Sequence, residues 1–366
     1  MLEAKQVTEK ILGEIRRPFE LEGQLYHLGA SIGVAIFPEG CRDDSDVLKQ
    51  ADTAMYRAKE GSRNTIRFFE SSMQAAAEKR LELEQALRTA LGADHLCIYL
   101  QPQVDADGRL AAAEVLTRWY RPGHGWISPG IFIPIAEESG LITVLGSWVL
   151  ARTCRAIHQM EVEGCGCDVA VNVSPRQFRQ ADFVDQVRLA LNESGAPPGR
   201  LLLELTENAV IDDLVDAVAK MTALREMGVR FSIDDFGTGY SSLAYLRQLP
   251  VSEIKIDRSF VADVIADPGD AAIVDAILAM AQRLGLKAVA EGVETEEQMR
   301  FLDERGCRFF QGYYFSAAVP WEDFLQLEVV RNHRQLAGHP GPASLLRPRE
   351  AADTAALPRS AGRYKR

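Results

Sequence analysis

Between residue 96 and about residue 326 the chain repeats one pattern eight times: a short apolar run, closed by a polar residue, then a helical or turn-forming stretch. The runs are Cys97–Gln101, Leu110–Trp119, Asp168–Val173, Leu201–Leu205, Val229–Ile233, Glu253–Ile256, Lys287–Ala290 and Arg308–Tyr314. Helical patterns near 143–162, 177–193, 209–227, 241–247, 270–284 and 295–304 fill most of the gaps. Such alternation is the signature of βα units on a parallel sheet. Eight strands in about 230 residues fit a closed (β/α)8 barrel. An open doubly wound sheet is the alternative, but no G-x-G-x-x-G turn follows the first strand, as a dinucleotide-binding sheet would want.

The 366 residues leave room for a second, smaller module. Residues 1–70 show a helix near 3–16, strand-like Gln24–Leu28, a strand Ala30–Phe37, a helix Asp46–Lys59 and a short strand end at Phe68-Phe69. That is half of a small α/β domain. From 71 to 92, Leu81, Leu83, Leu87 and Leu91 fall at helical spacing among Ala, Glu, Lys and Arg, predicting a connecting helix. The barrel domain is expected over 93–330. Over 331–366, His339-Pro340-Gly341-Pro342 and a run of Ala, Arg and Pro replace apolar periodicity, predicting a disordered tail.

Charge and cysteine usage narrow the class. Lys plus Arg number 41 against 52 Asp plus Glu, a net charge of −11 that disfavours a nucleic-acid polymer as partner. The six cysteines show no paired metal-finger spacing, and Cys165-Gly166-Cys167 is too tight for a zinc knuckle, so all read as free thiols of a cytoplasmic protein. No apolar run approaches the roughly 20 residues of a membrane span, and Met1-Leu2-Glu3 opens an amphipathic helix pattern in place of a signal peptide.

What closes each apolar run is more informative. Glu114 lies in the second strand, Asn172 closes the third, Glu204 and Glu207 the fourth, and Asp234-Asp235 the fifth. Lys255 and Asp257 flank the end of the sixth, Glu291 and Glu294 close the seventh, and Gln311 sits in the eighth. In a βα barrel these ends meet on one face. Crowded carboxylates repel one another, so such a mouth asks for divalent cations. Oxygen donors without His or Cys point to Mg²⁺ or Mn²⁺. Two such ions about 3.5–4 Å apart can activate water and clamp both oxygens of a phosphodiester displacement, which predicts phosphodiester hydrolysis.

Each residue also has a plainer reading. A lone acid at a strand end is often a helix cap or a surface charge. Asp234-Asp235-Phe236-Gly237 stands apart, because two acids follow a strand and lead into a glycine-containing loop. Glu207 and Glu294 read equally as caps or loop braces, and Asp257 as a cap or a partner of Lys255. Lys255 is either a surface lysine or a cation beside the attacking water. Its alternation with Ile254 and Ile256 turns it to the opposite side, which favours the second. Arg118, four residues beyond Glu114, shares that strand face and has a fork suited to phosphate. Trp119 and Tyr120 read as core or rim packing.

Glu114-Val115-Leu116-Thr117-Arg118, Asn172-Val173-Ser174, Glu204-Leu205-Thr206-Glu207, Asp234-Asp235-Phe236-Gly237-Thr238-Gly239, Lys255-Ile256-Asp257, Glu291-Gly292-Val293-Glu294 and Gln311-Gly312 resemble the successive motifs of the EAL-domain cyclic di-GMP phosphodiesterases, over about 85–326. The resemblance implies a TIM-like barrel with its first strand antiparallel. It implies two Mg²⁺ or Mn²⁺ ions held by Glu114, Asn172, Glu204, Asp234, Asp235 and Glu291. Lys255 would orient or activate the nucleophilic water, Gln311 would support it, and Glu207 would hold the loop Asp235–Leu243, which couples to a homodimer interface. Gln101 and Arg118 would contact cyclic di-GMP, opened to linear pGpG. The signature reads Glu-Val-Leu in place of Glu-Ala-Leu. On a strand Val115 faces away from Glu114, so its extra methyls enter the barrel wall and activity is expected to survive.

The head has its own resemblance. Ala30-Ser31-Ile32-Gly33-Val34-Ala35 and Ala51-Asp52-Thr53-Ala54-Met55-Tyr56-Arg57-Ala58-Lys59 resemble the C-terminal half of a GGDEF diguanylate cyclase domain, without its signature motif. Cyclase activity is therefore not expected, and the chain reads as the end of a longer sensor protein or as a truncated product. Two further readings stay open beside the hydrolase: a catalytically silent cyclic di-GMP receptor, and a metal-dependent barrel enzyme acting on another phosphorylated or carbonyl substrate.

Overall fold

A short, polar turn decides how the barrel begins. The Asp105 carboxylate accepts the amides of Asp107 and Arg109 at 2.9 and 2.8 Å, and Gly108 takes φ 73°, so the chain reverses at once. A connection that short joins only antiparallel neighbours. The computed structural model describes residues 2–21, 24–36, 44–61, 64–211, 213–238 and 246–338. They fall into two compact units, Met1–Arg88 and Thr89–Arg366.

In the first unit, helices Leu2–Ile15 and Asp44–Glu60 accompany β1 (Phe19–Leu21), β2 (Gln24–Tyr26), β3 (Ile32–Val34) and β4 (Ile66–Phe68). β1 and β2 form an antiparallel hairpin; β3 and β4 pair in parallel, joined through the second helix. Helix Asp44–Glu60 lies so close on β3 that a methyl at Gly33 would fall on the backbone of Ala51 and Met55. Its Ala54 and Ala58 are fully buried there. A third helix, Ser71–Ala90, covers most of the expected connecting segment.

The second unit holds β5 (Leu96–Asp105), β6 (Leu110–Arg121), β7 (Gly125–Ile127), β8 (Asp168–Val173), β9 (Leu201–Thr206), β10 (Arg230–Phe236), β11 (Glu253–Ile256), β12 (Lys287–Ala290), β13 (Phe309–Phe310) and β14 (Val319–Pro320). The hydrogen-bonded order β5-β13-β12-β11-β10-β9-β8-β6 closes on itself through β5 and β6, giving an eight-stranded barrel. β5 is antiparallel to both neighbours, and the other seven are parallel to one another. Outward residues such as Ile254 and Ile256 are fully buried beneath the surrounding helices. Inward positions on the same strands carry the polar set.

Three differences from the sequence expectations stand out. β7 and β14 extend the barrel wall as short additions to β6 and β5. The last barrel strand is two residues, not the run Arg308–Tyr314, because the chain turns at Gly312, whose carbonyl accepts the amides of Phe315 and Ser316. The helix Glu328–Gly338 continues past Asn332, where disorder was expected, and buries Val330 against the barrel. Cys41, the loop residues Gly239–Leu243, most of the expected helix 241–247 and the tail from 339 lie outside the described residues.

Candidate active site

Strand periodicity puts Glu114, Glu204, Asp234 and Lys255 on inward positions of β6, β9, β10 and β11. Their side chains converge on the Lys255 ammonium, which is 1% exposed. Nζ stands 2.5 Å from Glu291 Oε1, 3.0 Å from Glu204 Oε1, 3.4 Å from Asp234 Oδ1 and 3.5 Å from Glu114 Oε2. Four carboxylates thus surround one cation. Burial works against a charged lysine here, but Glu114, Glu204, Glu291 and Asp234 together hold its pKa well above the ordinary value.

The acids differ among themselves. Burial pushes the Glu291 carboxyl up to about 8, with Lys255 opposing and Asp234 and Glu114 adding repulsion. Glu204 is raised well above the ordinary range by burial and by its acidic neighbours. Glu114, equally buried, is held below it by Lys255 and by hydrogen bonds donated by Gln311 Nε2 at 2.5 Å and Asn172 Nδ2 at 2.7 Å.

Asp234 and Asp235 are adjacent, and on a regular strand they would face opposite ways. A register shift between Ile233 and Phe236 marks a bulge, and Asp235 takes φ 53°, a left-handed conformation that Asp tolerates better than most residues. The bulge brings one oxygen each of Asp234, Asp235 and Glu291 within 4.8 Å of one another. Burial, then the Asp234 charge, raises the Asp235 carboxyl to about 6.

This donor set fits hard divalent cations. It is all oxygen, and neither Glu204 oxygen has a hydrogen-bond partner despite complete burial; Lys255 lies 3.0 Å from Oε1 without hydrogen-bond alignment. Orphaned buried carboxylate oxygens are costly unless a charge satisfies them.

The remaining expected residues divide. Glu207 is buried and accepts the Gly237 amide at 3.1 Å, bracing the loop that follows Asp235. Gln311 lies inside the barrel and donates to Gln101 Oε1 at 3.2 Å, while Gln101 Nε2 donates to the Ser316 carbonyl at 3.1 Å. Asp257 caps the helix Arg258–Ala262 through the Ser259 amide at 2.9 Å. Glu294 is exposed, and Thr295 caps the next helix in its stead. Arg118 sits over the Tyr99 ring at 5.4 Å and donates to the Thr117 carbonyl at 3.1 Å, four strand residues from Glu114. Val115 packs in the barrel wall as expected, and Trp119 is buried against Phe132. Gln103, unforeseen, donates Nε2 to Gln311 Oε1 at 2.9 Å. Its position two residues after Gln101, on the same strand face, was the available signal.

The EAL domain model matches residues 84–318, and that of the diguanylate cyclase, GGDEF domain, matches residues 1–65. The bifunctional diguanylate cyclase/cyclic di-GMP phosphodiesterase MucR of Pseudomonas aeruginosa is 44% identical over 326 residues, 88% of this chain and 47% of the relative. The cyclic di-GMP phosphodiesterase NbdA of the same organism is 41% identical over 329 residues, 88% of this chain and 42% of the relative. This chain therefore spans less than half the length of these curated relatives. The solved PaMucR phosphodiesterase in complex with c-di-GMP superimposes with a TM-score of 0.65 at 45% identity, covering 67% of this chain and 100% of that one. The EAL enzyme Bd1971, bound to cAMP and cyclic-di-GMP, gives 0.66 at 30% identity over 78% and 76%. With most of its length matched and its strand ends carrying the acids and lysine described, the chain belongs to the EAL-domain family.

Proposed function

We propose that this chain hydrolyses cyclic di-GMP to linear pGpG, as a cyclic-guanylate-specific phosphodiesterase. The observation that carries the reading is the buried Lys255 ringed by four carboxylates beside the Asp234, Asp235 and Glu291 cradle. Glu114, Asn172, Glu204, Asp234, Asp235 and Glu291 would hold two Mg²⁺ or Mn²⁺ ions, which would supply Lewis acidity at the phosphate and lower the pKa of water. Lys255 orients the attacking water and offers its positive charge to the phosphoryl oxygens. A new P–O bond forms to that water, the bond from phosphorus to the 3′ oxygen breaks, and the 3′ oxygen leaves as a hydroxyl. One 5′-phosphate remains on the linear product.

Gln311 holds Glu114, and Glu207 keeps the loop after Asp235 in register. Gln101 and Arg118 contact the dinucleotide, Arg118 from its place over Tyr99. The catalytic domain is residues 93–330, joined by 71–92 to a first module of 1–70 that adds no cyclase activity. The reading includes a homodimer through the barrel domain, and a cytoplasmic site of action, the latter supported by the five unbridged cysteines among the described residues. Among the described residues no helix is long and apolar enough to cross a membrane.

Chromatography of a cyclic di-GMP incubation tests it. pGpG should form with Mn²⁺ or Mg²⁺, and Glu114→Ala and Asp234→Ala should abolish it. Nucleotide bound but unchanged after long incubation would identify a silent receptor, and near wild-type turnover by either variant would refute the ligand assignment.

A further inference from the structure

Beside the carboxylates, three glutamines form a chain whose last member has no part in the reading above. Gln101 and Gln103 both face the barrel interior from β5, and between them they grip the Gln311 carboxamide. Charge sets the direction of this chain. A carboxylate only accepts, so Gln311 must turn its nitrogen to Glu114 Oε2, 2.5 Å away. Its carbonyl then faces Gln103, which must answer with a donor, and does so at 2.9 Å. The consequence falls on Gln103 itself: fully buried, its own Oε1 has no hydrogen-bond partner. An apolar side chain of the same size would avoid that buried unpaired oxygen, so packing does not account for a glutamine at this position.

We propose that Gln103 is a positioning residue: its donated hydrogen bond locks the Gln311 carboxamide with nitrogen toward Glu114, and so fixes the Glu114 carboxylate for a divalent cation. The proposal rests on the reading of Glu114 as a cation ligand. Without Gln103, the Gln311 carbonyl loses its donor on the side away from Glu114, and the carboxamide can tilt and lengthen its hydrogen bond to Glu114, loosening the ligand from behind. Partners one step behind a metal ligand commonly govern affinity by roughly 10- to 100-fold.

The experiment uses the full chain, free of nucleotide, and Mn²⁺ alone as the probe, with free Mn²⁺ read by electron paramagnetic resonance. Gln103→Met keeps the volume and removes the donor. Mn²⁺ affinity is expected to fall roughly tenfold, with kcat for pGpG formation lowered and KM little changed. Gln311→Met should also weaken Mn²⁺ binding, and the double variant should be no weaker than Gln311→Met, because Gln103 acts only through Gln311. Wild-type Mn²⁺ affinity in Gln103→Met, or losses that add in the double variant, overturns the proposal. Should Gln103→Met fail to fold, Gln103→Asn, whose amide stops one methylene short, takes its place with the same expectation. A wild-type chain that binds Mn²⁺ but forms no pGpG refutes the phosphodiesterase reading, and the Mn²⁺ comparison still decides the role of Gln103.

Discussion

The two compact units treat strand backbone in opposite ways. In the barrel, strands of up to 12 residues each find two neighbours, and the sheet closes through β5 and β6. In the first unit, strands of three residues form two separate two-stranded sheets, and β1 and β2 are exposed throughout, with Leu21 and Leu25 in water. Closure creates an interior that excludes water, where charges act on one another at low dielectric. Ion pairs of the first unit such as Lys5–Glu9 and Arg17–Glu14 lie on the surface, where pairs contribute little. A wall that shuts out water makes Lys255 and the acids around it act strongly on one another.

The sharpest way to break this contrast is at Lys255. Lys255→Met should lower pGpG formation by about a thousandfold while leaving cyclic di-GMP binding measurable, since a cation aimed at developing charge acts mainly in the transition state. Parallel loss of rate and binding in calorimetry would show instead that the lysine serves only to hold the acids apart.

Two glycines compare the units in stability. Gly312→Ala in the barrel and Gly33→Ala in the first unit each drive a methyl into backbone, of Val293 and of Ala51 with Met55 respectively. Each should cost about 3 kcal/mol or more, seen as a lowered melting transition of its own unit. A neutral Gly33→Ala would mean that the helix Asp44–Glu60 shifts off β3 at little cost.

Next in size is a pH effect in the metal-free barrel. Glu291, ordinarily near 4.5, is held at about 8, and Asp235, ordinarily near 3.8, at about 6. The folded state keeps protons that the unfolded chain releases, so stability falls as pH climbs from about 4 to 8, and Glu204, raised in the same direction, adds to the fall. Glu114, held low, contributes in the opposite direction. Melting in chelator at pH 5, 6.5 and 8 should show the decline, and added Mn²⁺ should reverse it, because cations favour the ionised acids. A flat profile would contradict the burial of Glu291. The smallest effect expected is from Thr295→Ala, which removes the capping box with Gln298 and should lower barrel stability by about 1 kcal/mol in urea unfolding.

Much of the barrel was legible residue by residue. β8, β11 and β12 begin and end where their apolar runs do, because strands walled by helices outside and side chains inside keep polar residues to the strand ends and a few inward positions. The antiparallel start was also written in the chain, in Asp105-Ala106-Asp107-Gly108, a turn too short for a parallel crossover, although it was inferred only from the family resemblance. β7 and β14 were not legible: two or three residues carry no periodicity, and only a neighbouring strand edge recruits them. Arg118 shows the limit of face arguments. It shares a strand face with Glu114, but a long side chain follows the aromatic ring within its reach, here that of Tyr99.

The order of apolar runs determined the barrel, and the polar residue closing each run determined which chemistry could gather at its mouth. Tertiary structure alone decided that Asp234 and Asp235 face the same way, through a bulge that no periodicity encodes. It also decided that Lys255 meets four acids at once, and that Gln103 reaches Gln311 across 208 residues of sequence. Local pattern fixes which face of a strand a side chain occupies; what it touches there depends on how the strands close around a common axis, a property of the whole sheet.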